Sequence, residues 1–476
     1  MLHILTNAKK NSVKKLKVFL CQGLTGLKEP LVFPLGLAYI ASALGKHDLM
    51  CYDPNISPQN YLDKFAKRIE HFAPDVVGLS LRNIDNPMEA NGSYYAYFVA
   101  MIRKLKEIHP TCKLVVGGAG FSIFIEEIMR LNPEIDFGVF SEGEQTFPDL
   151  LENLDHPHRV KGLFVRKGDD VTFSGRRGYL DFASLPPPSR EAFDVQKYAG
   201  GASMGIQTKR GCRFKCIYCL HNYYMGTQYR VRKPKHVVDE IETIVNQYNI
   251  RNFYFADPVF NFPSEHGLEI CREISRRKLD IKWEGCFRPD YLSKNYMQEA
   301  LNAGCRLFDF SPDGASDKAL QVLGKEHDAE SIKRSIKWTS EIEGAKVAYE
   351  FMTDIPRYNS EHVRGLMYFV PKIISQCREK LSYLNLSRMR IYLNTQLYDI
   401  ALEEGQINPK ASLLKPAHYE NKSFHKIENM VITMLRASCI PNSTFTALHR
   451  YLTANKPLKK DSPIEPKEMV IQKPNF

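Results

Sequence analysis

Two long blocks of alternating strand-like and helix-like segments, separated by a proline-rich break, confine this 476-residue chain to few folds. In the first block LKVFLCQGL (16–24), DLMCYDPN (48–55), PDVVGLSLRNID (74–85), CKLVVGGAG (112–120) and IDFGVF (135–140) are apolar runs that close on turn residues. Between them PLGLAYIASALG, SYYAYFVAMIRKLKEIHP and EQTFPDLLENL carry apolar residues at helical intervals. Continuous apolar runs suit strands buried on both faces of a parallel sheet. The alternation predicts an α/β fold for residues 1–155, an open, doubly wound, Rossmann-like sheet whose ligands bind at the carboxyl ends of its strands. That edge carries Asp53 to Asn55, Arg82 to Asn86, Gly117 to Gly120 and Ser141 to Glu144.

Residues 156–202 break the pattern. GLFVRKGDDVTFSG reads as a hairpin turning at Gly168 to Asp170, and LPPPSREAF as a semi-rigid linker. From 203 to 410 the strand-like segments SMGIQTK, NFYFADPVF, KWEGCF, LFDFSPD, KVAYEFMTDI and LSYLNLSRMRIYL alternate with helical patterns. Such β/α units predict a partial or full TIM-like barrel, with its chemistry at the strand C-termini. Residues 411–476 read as an extension with a helical stretch at 424–437 and a polar tail.

Composition narrows the function classes. With 43% hydrophobic and 25% charged residues the chain is globular rather than disordered. The net charge of +11 is spread along the chain instead of clustering, which argues against a nucleic-acid partner. No apolar run approaches the roughly 18 residues of a bilayer span, and MLHILTNAKKNSVKKLKVFL is not patterned as an export signal. The expectation is a cytoplasmic protein with no membrane partner. Eleven cysteines, an odd number, do not suggest a disulfide framework.

Three of those cysteines stand together. TKRGCRFKCIYCLHNYY holds Cys212, Cys216 and Cys219 in the spacing C-x3-C-x2-C, directly after the first strand of the second block. Thiolates suit zinc or iron–sulfur clusters. Three on one short loop can cap three corners of a cubane and leave the fourth iron open. A structural zinc would want a fourth ligand; His221 is near in sequence, but its chelate ring would be very tight. A dithiol pair of Cys216 and Cys219 would leave Cys212 unexplained. Tyr223, Tyr224 and Tyr229 beside this loop read either as pocket walls or as packing.

This motif, with Tyr218 before its last cysteine, resembles the signature of the radical S-adenosylmethionine (SAM) enzymes. The resemblance implies a 4Fe–4S cluster on Cys212, Cys216 and Cys219 whose open iron chelates SAM, and one-electron cleavage of SAM to a 5′-deoxyadenosyl radical. It continues through FYFADPVFNF, where Asp257 is a candidate for the SAM amino group, although Pro258 replaces a second acid often found there. In CFRPDYLS, Arg288 is a candidate partner of the SAM carboxylate. In AGCRLFDFSPDGASDKALQVLGK, Asp313 takes the place of a glutamate and is a candidate ribose contact.

The first block resembles the cobalamin-binding domain that precedes some radical SAM barrels, through PLGLAYIASAL, VVGGAG and FGVFSEGEQTFPDLLENL. Asp53, Asn55, Arg82, Asn83, Gly117, Gly118, Gly120, Ser141, Glu142 and Gly143 are then candidates for holding cobalamin. Glycines would let a corrin lie against bare backbone. Cobalamin domains that ligate cobalt from below use D-x-H-x-x-G; here Asp53-Pro54-Asn55 carries no histidine. Arg82 and Asn83 are expected to face the lower side of the corrin, and a guanidinium has no lone pair to donate.

The resemblance implies a cobalamin-dependent radical SAM enzyme, most simply a methyltransferase acting on an unactivated carbon of a small molecule or peptide. It also implies an electron donor such as flavodoxin or ferredoxin. Relatives that cyclise or contract rings offer other chemistry. A methylthiotransferase of RNA or protein would need a second cluster, and Cys21, Cys51 and Cys112 lie too far apart to supply a motif for it. A non-catalytic regulatory module that binds cobalamin or a cluster has no need of an open iron.

Overall fold

The computed structural model describes residues 15–26, 30–86, 93–200, 203–357 and 360–421. The helical stretch expected at 424–437, the polar tail and Cys439 lie outside them. The first sheet contains β1 (Lys17–Gln22), β2 (Asp48–Tyr52), β3 (Val76–Ser80), β4 (Lys113–Gly117) and β5 (Phe137–Val139), all parallel, in the order β2-β1-β3-β4-β5. Strand pleating divides its apolar residues between two layers. Val18 and Leu20 pack toward helices Leu35–Ala43 and Gly143–Glu152, whereas Phe19 and Cys21 pack toward Tyr61–Phe72 and Tyr95–Ile108. The sheet is therefore doubly wound, and the order reverses between β1 and β3.

The hairpin expected between the two blocks is part of this sheet. Strands β6 (Leu163–Lys167) and β7 (Asp170–Phe173) pair antiparallel onto the β5 edge. Covering β5 in this way removes an open parallel edge. The run between the sheets is thus shorter than 156–202 and begins after Phe173.

The second sheet is built from β8 (Gly205–Ile206), β11 (Asn252–Phe255), β12 (Lys282–Phe287), β13 (Cys305–Asp313), β14 (Lys346–Met352) and β15 (Leu381–Ser387). They are parallel and adjacent in that order, with no pairing between β15 and β8, so the barrel is partial. The short strands β9 (Lys209–Arg210) and β10 (Arg230–Val231) form a separate antiparallel pair. Alternate residues again divide the environment. Trp283, Phe287, Phe308, Phe310, Tyr349 and Phe351 pack under the outer helices. Glu284, Cys286, Asp309, Ser311, Glu350, Tyr383 and Asn385 are only partly buried and face the lumen. No helix among the described residues is long and apolar enough to cross a membrane.

Candidate active site

The carboxyl ends of the two sheets face each other across one cavity, which encloses about 1390 Å³ of empty space including its open mouth. Gln22, Gly78 to Ser80, Gly117 to Ala119, Val139 and Ser141 to Glu144 line it from the first sheet, at the reversal of strand order where such sheets bind ligands. Gln207, Arg210 and Ala256 line it from the barrel, with Tyr224 and Met225 from the helix His221–Met225 that follows the cysteine loop.

Of the residues expected to hold cobalamin, Arg82, Gly117, Gly118, Ser141, Glu142 and Gly143 line this cavity. The other four do not. Asp53 is buried, caps the turn Pro54–Ile56, and accepts from Tyr198 Oη at 2.6 Å and from Asn55 Nδ2 at 2.7 Å. Asn55 is further spent on Thr25 and the Gly23 carbonyl. Asn83 is exposed, and its backbone lies over Gly120, where a Cβ would come within 2.7 Å of the Asn83 carbonyl carbon. Gly120 is small because two loops cross there. Gly118 serves both needs: it lines the cavity, its φ is +101°, and a Cβ would lie 2.5 Å from the Leu81 carbonyl oxygen.

Glu142 is an interdomain fastener. It accepts from Arg210 at 2.9 Å and from Arg230 at 2.8 Å, while Arg210 also pairs with Glu144 at 2.5 Å. Its carboxylate is therefore committed to protein cations, and only its backbone is left to meet a ligand. The remaining wall is apolar, from Leu35, Leu37, Ile40, Leu79, Val115 and Phe147. At Gly36, a Cβ would project into open space. A broad apolar wall with bare backbone fits a flat macrocycle, which is the shape of a corrin.

The cysteine loop is tightly specified. Gly211, just before Cys212, has φ +85°, and a Cβ there would lie 2.0 Å from the Gln228 carbonyl oxygen. Cys212 N–H donates to the Gly226 carbonyl and Cys219 N–H to the Cys216 carbonyl. Tyr229 Oη donates to Cys212 Sγ at 3.7 Å, so this tyrosine belongs to the loop, while Tyr224 is a cavity wall. Burial pushes the Cys212 thiol up and the Cys219 thiol up to about 12, so loading a cluster must displace protons. Among the described residues no three His, Cys, Asp or Glu side chains converge as around a single ion. A cubane takes one thiolate per iron, so its three ligands need not converge on one point.

Arg288 lies against this loop, its guanidinium 3.7 Å from the Phe214 ring centre and paired with Asp290 at 2.6 Å. Asp257, expected to meet the SAM amino group, is instead wholly buried beneath the β8–β9 turn. It accepts from Thr208 N at 2.8 Å, Thr208 Oγ1 at 2.5 Å and Lys209 N at 3.2 Å. Asp313, expected at the ribose, is taken up by Tyr218 Oη and Lys325 Nζ.

Below the loop, the lumen holds groups that local sequence did not reveal. Tyr383 Oη donates to Asp309 at 2.8 Å, Ser311 Oγ to Glu350 at 3.1 Å, and Tyr254 Oη lies 3.3 Å from Cys286 Sγ. Burial raises Asp309 to about 6; burial, then the charges of Asp309 and Asp313, raise Glu350 to about 7. Because these folded-state values exceed those of the unfolded chain, the folded protein loses stability as pH rises from about 4 through 7. Glu350→Gln is expected to stabilise the ligand-free protein by about 3 kcal/mol at pH 8 and by almost nothing at pH 4. Thermal unfolding at the two pH values checks this; a variant less stable than the parent at pH 8 would show that a partner holds the carboxylate charged.

Comparison with known proteins accords with this geometry. Residues 29–151 match the B12 binding domain family and residues 206–370 the radical SAM superfamily. An uncharacterized methyltransferase of Pyrococcus horikoshii is 27% identical over 78% of this chain and 78% of its own length. The anaerobic magnesium-protoporphyrin IX monomethyl ester cyclase of Cereibacter sphaeroides is 25% identical over 64% of this chain, which spans about half (51%) of the cyclase. The radical SAM methyltransferase TsrM of Kitasatospora setae, solved with cobalamin and a 4Fe–4S cluster, superposes with a TM-score of 0.75 over 90% of this chain and 92% of its own, at 18% identity, a likeness of fold. With a B12 binding domain on one side of the cavity and a radical SAM barrel on the other, the chain belongs to the cobalamin-binding radical SAM enzymes, whose cofactors are cobalamin, SAM and a 4Fe–4S cluster.

Proposed function

We propose that this enzyme is a methyltransferase that places a methyl group on an unactivated carbon of a small molecule or peptide. The observation that carries the reading is the single cavity bounded by the cobalamin-domain strand ends and by Tyr224 and Met225 of the cysteine-loop helix. A methyl carrier and a one-electron centre placed on these two walls would serve the same bound substrate. When bound, the corrin supplies a transferable methyl group and the cluster supplies single electrons.

The chain's own residues position and exclude. Cys212, Cys216 and Cys219 are the cluster ligands in this reading. Arg82, the bare backbone of Gly117, Gly118 and Gly143, and Ser141 hold the corrin, and the apolar wall keeps water out. Arg288 and Tyr218 border the SAM site. The polar lumen around Glu350, Asp309, Tyr254 and Asn385 favours a substrate with hydrogen-bonding groups. Arg213 and Lys215 are exposed on the cysteine loop and suit an acidic electron donor of the flavodoxin or ferredoxin kind in a reducing cytoplasm.

Arg82 offers the corrin a cation without a lone pair. Arg82→Ala or Arg82→Lys should retain cobalamin while turnover changes; unchanged turnover would remove Arg82 from the reaction. The reading as a whole is tested with SAM labelled in its methyl group, given with reductant to the loaded enzyme under anaerobic conditions. Label recovered with the corrin or in a methylated product supports it. Label confined to SAM and methionine overturns methyl transfer and favours the ring-forming chemistry named in the cyclase relative.

A further inference from the structure

Lys325 is buried beside the cysteine loop, and the backbone fixes where it stands. Gly324 before it has φ +70°, and a Cβ there would lie 2.4 Å from the Lys215 carbonyl oxygen and 3.6 Å from Cys216 Cα. Ile217 N–H donates to the Leu323 carbonyl at 3.1 Å. The turn Leu323–Gly324 thus packs on the backbone that carries Cys216, and Lys325 has little freedom relative to it. Its side chain is 7% exposed. The ammonium pairs with Asp313, donates to the Ser311 carbonyl at 3.3 Å, and lies 5.7 Å from the centre of the Tyr218 ring. Tyr218 Oη donates to the same Asp313 oxygen that Lys325 meets.

On the other flank of the loop, the Arg288 charge is spent on Asp290 through two hydrogen bonds, at 2.9 and 2.6 Å. Lys325 instead stands on the turn that packs against the Cys216 backbone, 5.7 Å from the ring of Tyr218 between Cys216 and Cys219. A cation held this close, out of water, interacts strongly with any change of charge on the thiolates or on what they bind.

We propose that Lys325 is a positioning residue of the cluster site: the fixed cation that raises the potential at which a cluster on Cys212, Cys216 and Cys219 accepts its electron. The inference rests on the reading of those cysteines as cluster ligands. In the step concerned, one electron passes from an external reductant to the oxidised cluster, no bond forms or breaks, and the site gains one negative charge. A nearby cation favours that gain and a nearby carboxylate opposes it. Lys325 and Asp313, although paired, should therefore act with opposite sign.

The test is an anaerobic redox titration of reconstituted, SAM-free protein, followed by the paramagnetic signal of the reduced cluster, with iron measured in each sample. Lys325→Met should shift the midpoint to more negative potential, lowering the ratio of reduced to oxidised cluster at the parent midpoint about tenfold, which is 59 mV for one electron. Asp313→Asn should shift it the other way; asparagine tolerates the φ of +64° at this position, so the backbone is not the cause. Lys325→Arg, which keeps the charge, should stay near the parent value. Midpoints that do not move, or that move in the same direction for Lys325→Met and Asp313→Asn, overturn the proposal. If Lys325→Met does not retain iron, the sign of the Asp313→Asn shift decides. Absence of iron from the parent protein would instead overturn the reading of the cysteines.

Discussion

Replacing any one of Cys212, Cys216 or Cys219 with serine is expected to reduce bound iron from about four per chain to background and to abolish the broad visible absorption of a reconstituted cluster. A hydroxyl is a poor substitute for a thiolate toward iron, and the C-x3-C-x2-C loop supplies three ligands, so each loss removes a corner of the site. The effect should be confined to these three. Cys21, Cys112, Cys271, Cys305 and Cys377 are buried small hydrophobes in the packed layers, and Cys286 faces the lumen against Tyr254. Cys271→Ala and Cys286→Ser should therefore keep their iron. Iron analysis and visible spectra of the reconstituted variants check this. Retention of a full iron complement by Cys216→Ser would contradict the ligand set.

The second large effect is expected outside the cavity lining, where the segment after the barrel meets the first domain. Arg390 donates to Asp85 at 2.9 Å, and their side chains are 2% and 0% exposed. Arg390 also donates to the Leu413 carbonyl at 2.6 Å, and Tyr392 Oη donates to the other Asp85 oxygen at 3.0 Å. Removing one member of such a pair leaves a buried charge with no opposite charge to balance it. Arg390→Met is expected to destabilise the protein by about 3–5 kcal/mol. The double variant Asp85→Asn, Arg390→Met, which buries no charge, should recover most of that loss. Denaturant midpoints of the three proteins check the ordering; equal midpoints for single and double variants would mean that lost hydrogen bonds to Leu413, and not an isolated charge, set the cost.

How much was legible before folding depended on how local each determinant is. Cys212, Cys216 and Cys219 stand on one short loop, so the chemistry proposed for them is written in their spacing alone. The cavity edge was legible at Arg82, Gly117, Gly118, Ser141 and Gly143 because a doubly wound sheet puts its ligands at strand ends whatever the details. Asp53 sits at such an end too, but it turns inward to Tyr198, 145 positions away. Asp257 is likewise claimed by Thr208 and Lys209 from a neighbouring strand. For an acidic residue at a strand end, a protein donor in the core competes with any ligand, and that donor is visible only after folding.

Lys325, Glu350 and the Asp85–Arg390 pair were missed for the same reason. Each looks like an ordinary surface charge until a distant segment covers it, and 305 positions separate Asp85 from Arg390. The hairpin at Gly168 to Asp170 was legible as a hairpin, yet its attachment to β5 was not, because strand patterns do not name their partners.

The central claim, that the two facing walls hold a corrin and a cluster at once, is tested most directly by stoichiometry. The protein is purified without oxygen, reconstituted with iron and sulfide, mixed with hydroxocobalamin and desalted; cobalt, iron and the visible spectrum are then measured on the same sample. The account predicts about one cobalamin and about four irons per chain. Iron without cobalamin would contradict it, leaving the cysteine loop as a cluster site and the cavity between the sheets to some other ligand.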